Sequence, residues 1–306
     1  MGMAEAILLT IATAATPLLL AAIGELVVER SGVLNLGVEG MMLIGAVAGF
    51  GVAVTTGSAW LGVFGAIVAG ALFSLLFGFL ALTMVTNQVA TGLALTLLGI
   101  GVSGMLGEAF VGLPGVKLAN IYIPGLTELP VVGRLLFGQD PLFYVSIALV
   151  AGVAWFLFRT RAGLTLRSVG DSHGSAHALG IRVILIRYLA VMFGGACAGL
   201  AGAQLSLVYT TQWIENMTAG RGWIALALVV FASWRPLRVL AGAYLFGAVS
   251  IGELHAKALG LAIPSQFLSA LPYLATILVL VLISRNKRLT MMNTPASLGQ
   301  GFVPDR

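Results

Sequence analysis

A chain of 306 residues that is 59% hydrophobic and only 9% charged, with mean hydropathy +1.05, cannot coat a water-soluble globule. Its net charge of +5 fits basic loops on one side of a membrane and gives no reason to invoke nucleic acid. One cysteine, Cys197, excludes an internal disulfide and reads as a small packing residue.

Strand-type alternation is absent and the apolar runs are long, so the fold is expected to be all-α: a polytopic membrane bundle of about nine spans, treated as a single transmembrane domain over residues 1–306. The first span runs roughly Ala6–Val28, with Pro17 inside it. With no basic region before it and no small-residue cleavage pattern, it reads as a span and not a removable signal. ERSGVLNLGVEGMM, Glu29–Met42, places polar residues and glycines where a second span ought to begin. Apolar sequence resumes to about Val54, and TTGS turns into a third span, Trp60–Val85. Asn87-Gln88 marks the next turn, before a fourth span over Val89–Phe110. Residues 111–140, rich in proline, read as an external loop.

A fifth span, Leu142–Phe158, enters a basic island, RTRAGLTLRSVGDSHGSAHALGIRVILIR, Arg159–Arg187. A glycine-rich sixth span covers Tyr188–Val208, followed by a polar loop. Gly222–Trp234 is apolar but short of the ~20 residues a crossing helix needs. RPLR turns the chain into Val239–Leu254, and a ninth span follows over Phe267–Ser284. The tail, 285–306, is polar.

Alternating the loops sorts the cations. Arg30, the island's Arg159, Arg161, Arg167, Arg182 and Arg187, then Arg235, Arg238, Arg285, Lys287, Arg288 and Arg306 fall on one side, twelve in all. Lys117, Arg134, Arg221 and Lys257 fall on the other. The positive-inside rule then puts the island and the C-terminus in the cytoplasm and the N-terminus outside. Gly45 with Gly49, and Gly195 with Gly199, are small-xxx-small pairs that read first as packing within the chain. Two glycine-broken segments, Leu34–Ala46 and Thr218–Val230, run in opposite directions in this topology, the mark of an inverted repeat around a central pathway.

Catalytic chemistry has little to stand on. His173 and His177 share a helical face but lack a third metal ligand beyond Asp171, so no metal and no cofactor is expected. No nucleotide-binding or nucleophile motif is present, and the chain reads as a non-enzyme. Among Glu25, Glu39, Glu108 and Glu253, only Glu39 has a claim to depth in the membrane, with a structural role favoured. An ion-coupled carrier for a small polar solute is the alternative reading, and it would need more such groups. Within the island, Asp171 is placed to cap a helix over Ser172–Leu179 that Gly180 ends in the left-handed conformation. A short, doubly capped helix on a water-facing loop suits a docking surface for a partner.

Four blocks carry a resemblance: ERSGVLNLGVEGMMLIGA (Glu29–Ala46), NQVATGLALTLL (Asn87–Leu98), VGDSHGSAHALGI (Val169–Ile181) and TAGRGWIALALVVFASWRP (Thr218–Pro236). In that order they resemble the permease subunits of ATP-binding-cassette importers, in the branch of ribose, galactose, branched-chain amino acid and nucleoside permeases. The first block looks most like the smaller permease of nucleoside-type importers. The island core departs from the family pattern at Ser172-His173, often Asn-Pro, and at Ser175, often Ala.

The resemblance implies a subunit of a bacterial inner-membrane importer for nucleosides or simple sugars. Its implied partners are a second, larger permease, an ATPase with two fused nucleotide-binding modules, a periplasmic or lipid-anchored binding protein, and the lipid bilayer that surrounds the spans. ATP hydrolysis would belong to the ATPase. Arg167, Asp171, Ser172, His173, Ala176, Gly180 and Ile181 would couple this chain to that ATPase. Asn35, Glu39, Asn87, Gln88, Thr91 and Thr96 are the candidates for lining the solute pathway.

Overall fold

The computed structural model describes residues 3–128, 132–258 and 293–304, with isolated residues between 267 and 281. The expected ninth span and the cations Arg285, Lys287, Arg288 and Arg306 lie outside the described residues. Within them are eleven α-helices and no strand: α1 Met3–Arg30, α2 Val38–Thr56, α3 Ala59–Gly78, α4 Gln88–Gly107, α5 Val132–Phe137, α6 Pro141–Arg159, α7 Arg161–Asp171, α8 His173–Ala178, α9 Val183–Gln204, α10 Arg221–Phe231 and α11 Pro236–Ala258. Single π-helical turns extend α3 (Phe79–Thr83) and α9 (Leu205–Tyr209). Seven helices, α1, α2, α3, α4, α6, α9 and α11, are long and apolar enough to cross a membrane. Seven such helices among the described residues, with the shorter apolar α10 of 11 residues, are roughly consistent with about nine spans.

The helix starts follow from short polar side chains. Ser58 Oγ accepts the Leu61 amide, Asn87 Oδ1 accepts that of Ala90, and Thr160 Oγ1 accepts that of Gly163. Asp140 Oδ1 takes the amides of Leu142 and Phe143, with Pro141 in the first turn of α6. Burial pushes the Asp140 carboxyl above its ordinary range, and those amides with the Gln204 side chain oppose the shift.

Helix α2 is apolar on all sides and buried nearly end to end, which makes it the centre of the bundle. Helices α3, α9 and α4 surround it, and α10 meets its start. The packing is backbone on backbone: a Cβ on Gly45 would collide with the Gly199 backbone, one on Gly70 with Gly195 and Gly199, and one on Gly49 would press on Ala66 and Gly62. Both small-residue pairs are therefore spent inside the chain. The outer faces of α3 and α4 expose Trp60, Phe64, Leu72, Leu97 and Met105, as lipid or an apolar partner surface requires.

The island corrects the expectation in three ways. It is two helices: α7, eleven residues long, precedes the short α8. The cap of α8 is Ser172, whose Oγ accepts the Ser175 amide, whereas Asp171 is the last residue of α7. Helix α9 begins at Val183, not Tyr188, so Arg187 is a buried residue of its first turns and not part of a solvated patch. Asp171 is not the cap of α8 because it still lies within α7, whose last bond runs from the Ser172 amide to the Ser168 carbonyl. The end of α8 is as expected: Gly180 has φ +81°, its amide bonds to the His177 carbonyl, and the Ile181 amide to that of Ala176.

Candidate functional site

The break between α1 and α2, residues 31–37, is tied on every side. Glu25 Oε1 accepts the Asn35 amide. Asn35 Oδ1 accepts the Gly37 amide, an Asx turn that leads into α2. Thr96 Oγ1, from α4, donates to the Leu36 carbonyl. Gln88 Oε1 accepts the Leu34 amide at 2.8 Å. Gly92 and Gly99 let α4 approach Leu36 and Gly40 at backbone distance.

One residue into α2, Glu39 reaches the start of α10. Its Oε1 accepts Thr218 Oγ1 at 2.5 Å and the Gly220 amide at 2.8 Å, and its Oε2 accepts the Gly222 amide at 2.6 Å. A carboxylate on free amides at a helix start is favoured by both hydrogen bonding and the helix dipole. Gly222 is required there, since a Cβ would lie 2.6 Å from Glu39 Cα. The two glycine-broken segments that the sequence sets in opposite directions thus meet at one buried carboxylate.

At the far end of α10 a second clasp forms. Glu29 accepts the Trp234 indole N–H at 2.5 Å, and Arg30 donates from Nε and Nη2 to the Trp234 carbonyl. Ser233 and Trp234 both hold left-handed backbone, φ +50° and +54°, a conformation that costs non-glycine residues about 1–2 kcal/mol each. Charged bonds from α1 offset that cost. The ERSG wording of the first block and the SWRP wording of the third are two sides of this contact.

The same face gathers the island. Gly170 of α7 lies against the Arg30 carbonyl and Gly32, with no room for a side chain. Arg187 donates from Nε to the Ser31 carbonyl and from Nη1 to the Gln300 carbonyl, and its Nη2 lies 3.3 Å from His173 Nδ1. Arg167 stacks over the Phe158 ring. Ala176 is buried with Val169, Val183 and Phe302, and Ile181 packs against that cluster. Gly174 has open space around it and Leu179 is 81% exposed, so α8 presents a free edge.

Of the six residues marked for the pathway, Asn35, Glu39, Gln88, Thr91 and Thr96 are buried and Asn87 is exposed. All six engage partners within the chain, Thr91 through the Asn87 carbonyl and Thr86. They form one framework around the break. Missed by sequence reasoning were Glu29, Arg30, Trp234 and Arg187, which hold that framework to the island face. Among the described residues no group of three side chains could hold a metal ion.

His173 offers a pH test. Burial, then the nearby Arg187 charge, holds its pKa below the ordinary value near 6.5. An unfolded chain therefore takes up this proton at a higher pH than the folded one. Stability from this site is present above about pH 6.5 and is lost as the pH falls through the depressed value. The melting temperature of the detergent-purified protein should drop more between pH 7 and 5 than that of His173→Asn, measured in the same buffers.

Comparison with known proteins agrees with this architecture. Residues 7–283 match the family described as branched-chain amino acid transport system / permease component. A putative glucose ABC transporter permease protein of Haloferax volcanii is 41% identical, covering 99% of this chain and 98% of its own. The guanosine ABC transporter permease protein NupQ of Bacillus subtilis is 35% identical and the nucleoside ABC transporter permease protein NupC of Lactococcus lactis 34%, each covering 87% of this chain and 88% of its own. With its long apolar helices, its clasped break and a family match over most of its length, this chain belongs to that family of membrane-spanning permease components.

Proposed function

We propose that this chain is the smaller of two permease subunits in an ATP-driven importer for nucleosides or simple sugars. The observation that carries the reading is α8: capped at both ends, seated by Ala176 and Ile181, and free along its outer edge. In this reading α8 docks on a separate ATPase, which performs the hydrolysis, and a binding protein delivers solute to the opposite face. The names of the relatives support the solute class. Bacillus subtilis has a second similar protein also named a guanosine ABC transporter permease, which supports a two-permease assembly.

The island face is taken as cytoplasmic from the positive-inside rule. Arg30 and Arg187 add little to that count, since both are buried structural donors. The six polar framework residues set the shape of the pathway wall at the break.

Reconstitution with the ATPase, the second permease and the binding protein tests this. Uptake of guanosine or glucose into proteoliposomes should require ATP. Gly180→Val should leave the complex assembled and cut uptake at least tenfold, because φ +81° is closed to a β-branched residue. Uptake by the isolated chain under a proton gradient would overturn the proposal in favour of a self-contained carrier.

A further inference from the structure

The described part of the tail, residues 293–304, does not trail away from the island face; it is threaded through it. The Asn293 carbonyl accepts Arg30 Nη1 at 3.0 Å. The Ser297 amide bonds to the Gly170 carbonyl of α7 at 2.9 Å, and two residues on the Gly299 amide bonds to the Gly32 carbonyl at 3.1 Å. The Gln300 carbonyl accepts both Arg187 Nη1 and Gln88 Nε2. Phe302 then sits between the two histidines of α8, its ring centroid 5.3 Å from that of His173 and 5.4 Å from that of His177.

These contacts form a continuous path. It starts at α8 with His173 and His177 and enters the tail at Phe302. It leaves at the Gln300 carbonyl for the Gln88 side chain, whose other end accepts the Leu34 amide. Leu34 adjoins Asn35, which turns the chain into α2 and so toward Glu39. The tail is thus a bridge between the docking helix and the break in the central helix. Apart from the Phe302 ring and the Ser297 hydroxyl, it makes these bonds through its backbone.

We propose that the carboxyl-terminal segment 293–304 positions α8 against the α1–α2 break and transmits the movement of one to the other. The inference rests on the permease reading above and adds to it a part of the coupling machinery outside the island.

The test uses the assembled importer in proteoliposomes, with guanosine and glucose as probes, and reads solute moved per ATP hydrolysed. A merely structural tail would change the yield of complex and leave that ratio untouched. Phe302→Ala, and a chain ending at Thr294, should keep ATP hydrolysis while the ratio falls at least fivefold. Phe302→Tyr, which keeps a ring between the histidines, should restore it. If the shortened chain fails to assemble, Phe302→Ala alone decides. A wild-type ratio in Phe302→Ala would overturn the inference and leave the permease reading standing. Absence of ATP-dependent uptake of either probe by the wild type would overturn the permease reading, and this inference with it.

Discussion

Glu39→Ala should abolish uptake and lower the melting temperature of the purified protein by about 5 °C or more. The substitution leaves Thr218 Oγ1 and the Gly220 and Gly222 amides without their acceptor in a site where Glu39 is only 3% exposed. Hydrogen bonds to a charged group are worth about 1.5–3 kcal/mol each, so the summed loss is roughly 3 kcal/mol even after relaxation. Glu39→Gln should be milder. Its single carbonyl can keep Thr218 and Gly220 but sets an NH2 against the Gly222 amide. Thr218→Val removes one donor and should cost least of the three. The series separates a framework role from proton coupling. If Glu39 carried a proton, Glu39→Gln would stop transport with no change in melting temperature.

The apolar spans among the described residues were legible because lipid demands long apolar runs, and apart from the start of α9 their ends match to within a few residues. The island was less so. Helix α7 is polar enough to pass for loop, yet Leu166 and Val169, three apart and both buried, carried a helical signal inside the arginines. The cap of α8 was ambiguous because Asp171 and Ser172 are equally good capping residues, and only the closing bond of α7 decides between them. Arg187 looked like island charge, although the VILI run before it already begins the span. The clasps themselves were beyond reach. Glu39 and Thr218, or Glu29 and Trp234, are joined across about two hundred residues, and no local pattern names a partner at that separation. The tail gave least warning, since its bonds run mostly through backbone groups that composition does not reveal.

Gly199→Ala should leave little folded protein in the membrane, a severe effect from one methyl group. Its Cβ would collide with the Ala66 carbonyl and press on Gly70, where α3 and α9 meet beside the central α2. A helix backbone cannot turn aside as a flexible side chain can, so α3 and α9 must separate. That separation also opens Gly45, which packs on Gly199 from α2, and three helices lose their contact together. Ordinary overpacking costs about 1–3 kcal/mol, and a clash of backbone with backbone lies at or above the upper end. Gly101→Ala is the control. Gly101 lies on an exposed face of α4 with nothing within 4 Å of an added Cβ, and alanine is a better helix former by about 1 kcal/mol. Monodisperse yield after detergent extraction should collapse for Gly199→Ala and hold or rise for Gly101→Ala. Equal yields would mean that α3 and α9 are not packed through their glycines.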